Sequence, residues 1–324
     1  MATIISSDSH HVDRQRSSVR TTKRVVTAPQ KNTDVAARLI AKLAVRSLYA
    51  ELVLYPKPGL VSLRDNGSHT DMNAMTFLRS LFSLRHYFRH MVLAGVNDAD
   101  FQVLKQSGID AEKRMLRATN GINTHRGAIF CIGMLCAAVG RCLAQDLPLS
   151  SHNVRLVLIN VWGDALHTHS SVLLDAADRL ASDKGISHGL QVAQHYAVSG
   201  AREEAALGFP SVFELALPRL LLSLAQGRSQ TEAKIDSLFA LMAQMHDTNL
   251  YYRGGIAAAE FSQQAAAQFL TAGGTAQADW LAQAETCHQQ FVERRLSPGG
   301  AADLLAATWF IYQLQDTSLH LSHA

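Results

Sequence analysis

The amino-acid sequence predicts an all-α protein, a single multi-helix bundle domain behind a flexible N-terminal tail. Three observations lead there. From Thr33 onward nearly every segment repeats apolar residues at helical period. Strand signals are nearly absent: β-branched runs are short, and no Asn-Gly or Asp-Gly turn sits between alternating apolar strands. Of the 324 residues, 48% are apolar and 18% charged, enough to bury a core and to exclude wholesale disorder, collagen and a small disulfide scaffold.

Residues 1–32 mix Ser, Thr, Arg, His and Asp without a sustained apolar period and read as a disordered basic tail. A transit peptide fits their Arg and Ser content, and Asp8 and Asp13 weaken that reading. The domain proper is expected over residues 33–318. Thr33 can cap a first helix whose inner face would carry Val35, Leu39, Leu43 and Leu48, and which must stop near Pro56-Lys57-Pro58-Gly59. After a polar loop from Val61 to Thr70, Asp71 opens a second helix with Met75, Leu78, Phe82, Phe88 and Met91–Val92 on one side. Further helical patterns cover about 99–118, 126–144, 151–182, 186–197, 200–207, 211–226, 231–246, 255–271, 276–295 and 299–315.

Charge belongs to the tail. Residues 1–32 hold six of the 30 basic and two of the 27 acidic residues, which leaves 24 bases against 25 acids in the rest. That balance argues against a nucleic-acid-binding domain. Four cysteines are too few for a disulfide framework and read as buried free thiols. The longest apolar stretch, Gly127 to Gly140, falls short of a membrane span and is closed by Arg141. A soluble, cytoplasmic protein without membrane contact is the expectation.

Five segments contain more than an all-α core requires. Residues 55–72 present Ser62, Asp65, Asn66, Ser68, His69 and Asp71 after a stiff Pro-Lys-Pro-Gly exit. Capping chemistry accounts for only one of those six. Residues 120–130 place Asn123, Thr124, His125 and Arg126 at a helix start, a natural phosphate seat, with Thr124 as a simple N-cap the competing account. Residues 200–210 carry Arg202, Glu203 and Glu204 before a Gly208 stop; such charges are commonly mere surface. Residues 247–255 join two helices through Asp247 and Arg253. Leu296 to Asp303 combines a capping Ser297, Pro298 and a Gly299–Gly300 pair that permits close approach. Dinucleotide, P-loop and zinc signatures are absent from the sequence. If the five loops converge, they gather carboxylates, cations and amides, a set that suits Mg²⁺ and a polyphosphate. Residue chemistry alone therefore reaches a Mg²⁺-dependent enzyme acting on a nucleotide.

Together the segments PKPGLVSxxxNGSHTDM (56–72), GINTHRGAIF (121–130), GAREEAALGFP (200–210), DTNLYYRGG (247–255) and SPGGAADLLAATWF (297–310) closely resemble the triphosphoribosyl-dephospho-coenzyme A synthase family. They run in order across the domain. The wording of 56–88 looks more like the malonate decarboxylase branch than the citrate lyase branch. Arg126 stands where Lys is common in the family, and Glu203 where a small residue often sits.

The resemblance implies that ATP and 3′-dephospho-CoA are substrates, that the ribose 2′-hydroxyl attacks C1″ of ATP, and that adenine leaves. It implies Mg²⁺, and a product used by a holo-acyl-carrier-protein transferase. In this reading Asp71 and His69 are candidates for the general base and its orienting partner, with His125 also catalytic. Glu204, Asp247 and Asp303 are the candidate metal ligands. Lys57, Arg126, Arg202 and Arg253 would hold phosphates, and Asn123 and Ser68 would bond ribose or base edges. The rivals are an all-α Mg²⁺-dependent phosphohydrolase or ADP-ribosyl hydrolase, to which His246-Asp247 lends a weak dipeptide match, and a non-catalytic helical scaffold. Oligomeric state stays open, a homodimer among the options.

Overall fold

A computed structural model describes residues 28–179 and 201–321. Most of the expected tail, the expected helix at 186–197 and Gly200 lie outside the described residues. Among the described residues there are eleven α-helices and no strand. They are α1 (Ala28–Leu52), α2 (Ala74–Val96), α3 (Phe101–Ala118), α4 (Arg126–Ala144), α5 (Ser151–Arg179) and α6 (Ala201–Ala206). A π-helical turn, Ser211–Ala216, leads into α7 (Leu217–Ala225), followed by α8 (Gln230–Gln244) and α9 (Thr248–Thr271). A 3₁₀ turn at Gly274–Ala276 precedes α10 (Trp280–Glu293) and α11 (Gly299–Leu321). The all-α expectation holds.

The first two helices correct the sequence reading. Helix α1 opens at Ala28, so residues 28–32 belong to it and Thr33 is internal; Pro29 fits an opening turn. Its buried face is Ile40, Ala44, Leu48 and Leu52, while Val35 is exposed. Helix α2 starts after Asn73, whose side chain accepts the Thr76 N–H in a capping box, and not at Asp71. Its buried face is Leu81, Leu84, Phe88 and Met91, with Met75 and Phe82 in solvent. Phe82 and Phe88 are six residues apart, roughly 240° around a helix, so they cannot share a face.

Helix α4 is the centre of the bundle. It packs on α1, α2, α3, α5 and α11. Ala128, Ile132, Leu135, Cys136 and Val139 are among its fully buried residues. With 19 residues it is long and apolar enough to cross a membrane, yet 72% of its apolar window is buried inside the fold. Its apolar character therefore serves the protein core. Helices α2 and α4 meet almost backbone to backbone. A Cβ on Gly95 would lie 1.9 Å from the Ala137 carbonyl oxygen, and one on Gly140 would lie 2.0 Å from that of Val92. Only glycine allows this approach. The four cysteines are buried and free, as expected.

Candidate active site

The loop between α1 and α2 is built mostly from its own polar side chains. Ser62 Oγ accepts the Arg64 and Asp65 amides, and Asp65 Oδ1 accepts the Gly67 amide. Ser68 Oγ reaches the carbonyls of Phe291 and Leu296, at 3.1 and 2.5 Å. His288 binds the Lys57 carbonyl at 2.7 Å. These bonds tie the loop to the end of α10. Ser68, expected to bond ribose or base, is instead engaged in this anchoring. Lys57, expected on phosphate, is 1% exposed and forms a buried ion pair with Glu51 of α1. Burial pushes the Lys57 ammonium pKa down, and the Glu51 carboxylate opposes that shift.

Two helix starts face this loop. Asp247 caps both of them: its Oδ1 accepts the Asn249 amide at the start of α9, and its Oδ2 accepts the Ala301 amide at the start of α11. It is 2% exposed, and burial raises its pKa against those hydrogen bonds. The segment after it is helical, Thr248 to Arg253, until Gly254 and Gly255 break α9; Gly255 has φ +66°. Residues expected to be a plain connection thus form one helical turn that holds Arg253 in place. Arg253 donates to the Arg295 carbonyl at 2.9 Å and stands 3.3 Å from His69 Nδ1.

A cavity of about 540 Å³ opens between these parts, within the usual range for a small-molecule site. Of the expected site residues, His69, Asn123, His125, Arg126, Arg202, Arg253 and Asp303 line it. Segments up to 234 residues apart in the chain, from His69 to Asp303, therefore share one cleft. Asp71 is outside the lining; it is exposed and stands 3.5 Å from His69 Nδ1. Glu204 is also outside, its Oε1 accepting the Ser211 amide that opens the π-turn. The expected metal trio is therefore not assembled. Among the described residues no cluster of three or more His, Cys, Asp or Glu side chains could hold a metal ion.

Charges of both signs line the cleft. Glu51 and Asp303 are among its acidic residues. Asp303 is pushed well above the usual carboxylate range, chiefly by burial, then by the nearby charges of Glu51 and Asp247. Arg126, Arg202 and Lys105 are among the basic residues of the cleft. Arg126 pairs with Glu112 of α3, its Nε 2.7 Å from Oε1. His69 bonds Ser297 Oγ at 2.9 Å. Burial and then Arg253 push its pKa below the ordinary value, while Asp71 raises it, so the ring is neutral near pH 7. His125 is pushed down to about 3 by burial and then by Lys57.

Sequence reasoning missed Glu51, Glu112, Asn249 and His169, all on the cavity wall. Glu51 carried a signal: it continues the buried stripe of Ile40, Ala44, Ser47 and Leu48, where a carboxylate has no place without a partner. His169, in contrast, sits on a helix whose pattern gave no hint. Thr124 does not cap α4; His125 occupies the N-cap, and Thr124 Oγ1 donates to Met115 Sδ at 3.2 Å. His246 bonds the Tyr251 hydroxyl, so the hydrolase-like His246-Asp247 pair is occupied locally.

Comparison with known proteins matches residues 37–320 to the model of the family described as ATP:dephospho-CoA triphosphoribosyl transferase (CitG). An Acinetobacter calcoaceticus protein named "Probable 2-(5''-triphosphoribosyl)-3'-dephosphocoenzyme-A synthase" is 39% identical over 273 residues, covering 84% of this chain and 90% of its own length. A Vibrio cholerae protein of the same name is 36% identical over 286 residues, 86% of this chain and 88% of its own. The Escherichia fergusonii 2-(5''-triphosphoribosyl)-3'-dephosphocoenzyme-A synthase is 35% identical over 281 residues, 85% of this chain and 90% of its own. No solved structure matches the chain at a significant level. With its family match spanning nearly all the described helices, the chain belongs to the ATP:dephospho-CoA triphosphoribosyl transferase family.

Proposed function

We propose that this chain transfers the 5-triphosphoribosyl group of ATP to the 2′-hydroxyl of 3′-dephospho-CoA, with release of adenine. The observation that carries the reading is one cleft lined by both carboxylates and guanidinium groups, in a chain of this family. Substitution at the anomeric carbon passes through an oxocarbenium-like state, which negative charge beside the sugar stabilises. Asp303 and Glu51 are in position to supply it. Arg126, Arg202 and Arg253 would bind the intact triphosphate and the pyrophosphate of the coenzyme.

The base that takes the hydroxyl proton is best filled by His69, with Asp71 as its orienting partner. His69 faces the cleft and Asp71 does not. A neutral imidazole with a carboxylate at one nitrogen is a competent general base, a role that contributes about 10²–10⁴-fold. Asn123 shares the lining and would bond ribose or the base edge.

Mg²⁺ is part of the proposal. It is commonly held by one or two carboxylates plus substrate phosphate. Asp303, a half-buried residue whose carboxyl pKa is raised by burial and by the charges of Glu51 and Asp247, and Glu51 are the residues that fit. Glu204 does not fit, and Asp247 would contribute only through its charge. When bound, the ion neutralises the triphosphate. The likeness of residues 56–88 to the malonate decarboxylase branch supports delivery of the product to an acyl-carrier-protein transferase in the cytoplasm.

The test is incubation with ATP, Mg²⁺ and 3′-dephospho-CoA. Chromatography should detect adenine, and mass spectrometry the triphosphoribosyl adduct. Release of inorganic phosphate or free ribose phosphates, with no adduct, would overturn the assignment in favour of a hydrolase.

A further inference from the structure

The buried face of α2 holds one hydroxyl that core packing does not require. Ser80 is fully buried, one residue before Leu81 and one turn before Leu84. Its Oγ lies 2.6 Å from Nδ1 of His125, 45 residues further along the chain. The same helix supplies Phe77, which packs edge-on against the imidazole with centroids 5.0 Å apart at 76°. Two side chains one turn apart therefore hold the ring from one side. On the other side His125 faces the cavity, and its Nε2 is buried without a hydrogen-bond partner.

We propose that Ser80 is a positioning residue for His125: its hydroxyl donates to Nδ1 and so places the imidazole proton on Nε2, facing the cleft. The proposal rests on the synthase reading for its kinetic consequence, though not for its structural one. A serine hydroxyl has one proton to give, and a neutral imidazole has one donor nitrogen and one acceptor nitrogen. Among the described residues Ser80 Oγ has no other hydrogen-bond partner. If Nδ1–H donated to Ser80, both the serine proton and Nε2 would be left buried and unpaired. If Ser80 donates to Nδ1, only the Nε2–H is unpaired, on a residue that lines the cavity. The second arrangement leaves one fewer buried polar group unsatisfied, so it is favoured.

The consequence is a change of role. His125 becomes a neutral hydrogen-bond donor to an acceptor atom of the bound nucleotide, and is not a second base beside His69. Burial in the apolar wall keeps it neutral throughout the working pH range. An uncharged, preorganised donor costs no reorganisation when the substrate arrives.

The tautomer is directly measurable. In the full chain with nitrogen-labelled histidine, long-range proton–nitrogen correlation should show His125 with a protonated Nε2 and an unprotonated Nδ1. The His125→Gln variant identifies the signal by its loss. In Ser80→Ala the ring should lose this preference and populate both tautomers. The kcat/KM for ATP, read by adenine release, should fall roughly 10- to 100-fold, the range seen when an outer-shell partner that orients a ligating histidine is lost. A protonated Nδ1 in the wild-type chain overturns the proposal, and that measurement needs neither a folded variant nor activity. So does a folded Ser80→Ala chain that keeps the Nε2–H tautomer or the wild-type kcat/KM. Absence of adenine release in the wild type would sink the synthase reading while leaving the tautomer result standing.

Discussion

Gly127→Ala separates catalysis from folding in this site. Gly127 lies in the first turn of α4 and lines the cleft. Its backbone is helical, so alanine fits there and gains about 1 kcal/mol of helix propensity. The new Cβ, however, would lie 2.1 Å from Oδ2 of Asp303 and 3.0 Å from its Cγ, where ordinary contact begins at 3.4 Å. The carboxylate must retreat by more than an ångström. Asp303 is only partly exposed and accepts the neighbouring Ala128 amide, so it cannot swing aside without losing that bond. Overpacking of this kind costs about 1–3 kcal/mol. Set against the helix gain, the net loss is about 0–2 kcal/mol, and the fold survives. Misplacing a catalytic group by about 1 Å costs roughly 10²-fold in rate. Adenine release followed by chromatography should therefore drop about 100-fold, while thermal unfolding moves by only a few degrees. Gly163→Ala is the control, because its Cβ meets nothing closer than 3.6 Å. A Gly127→Ala enzyme with wild-type turnover would refute the placement of Asp303 at the reacting centre.

Further outcomes are expected. The acid limb of the rate should lie below the ordinary histidine pKa, because His69 must be neutral and burial, then Arg253, lower its pKa. Asp71 is the raising influence, so Asp71→Asn should move that limb to still lower pH, and a shift upward would contradict the pairing. Lys57→Met leaves Glu51 buried without its partner and should cost about 3–5 kcal/mol in denaturant unfolding; a loss below about 1 kcal/mol would mean that the pair is not an ion pair. Arg126→Ala should raise KM for ATP roughly tenfold, the effect of losing one charge-assisted hydrogen bond, with turnover little changed. A chelator should abolish adenine release and added Mg²⁺ restore it; activity that persists in the chelator would remove the ion from the proposal.

Much of the architecture was legible because helix formation is a local property. Period, caps and breakers lie within a few residues of one another, so α4 was bounded at 126–144 from the sequence alone. Faces were less legible. Met75 and Phe82 look like core residues by type, and only the neighbours of α2 decide which side of it is covered.

The site divides along the same line. Residue chemistry identified the polar segments, and seven of the twelve expected residues line one cavity. It could not tell a residue that faces the cleft from one that builds it. Ser68, Lys57, Glu204 and Asp247 are polar and close by, yet each is committed to a backbone or ion-pair partner, remote in the chain for Ser68 and Asp247 and on a neighbouring element for Lys57 and Glu204. Glu51 and Ser80 faced the opposite problem, lying in apolar stripes where a sequence reader expects packing. Hydrogen-bond partnership between distant segments is a property of three-dimensional proximity, with no footprint in local sequence. Local propensity thus determined which helices form, while tertiary packing decided which polar atoms were left over for a ligand.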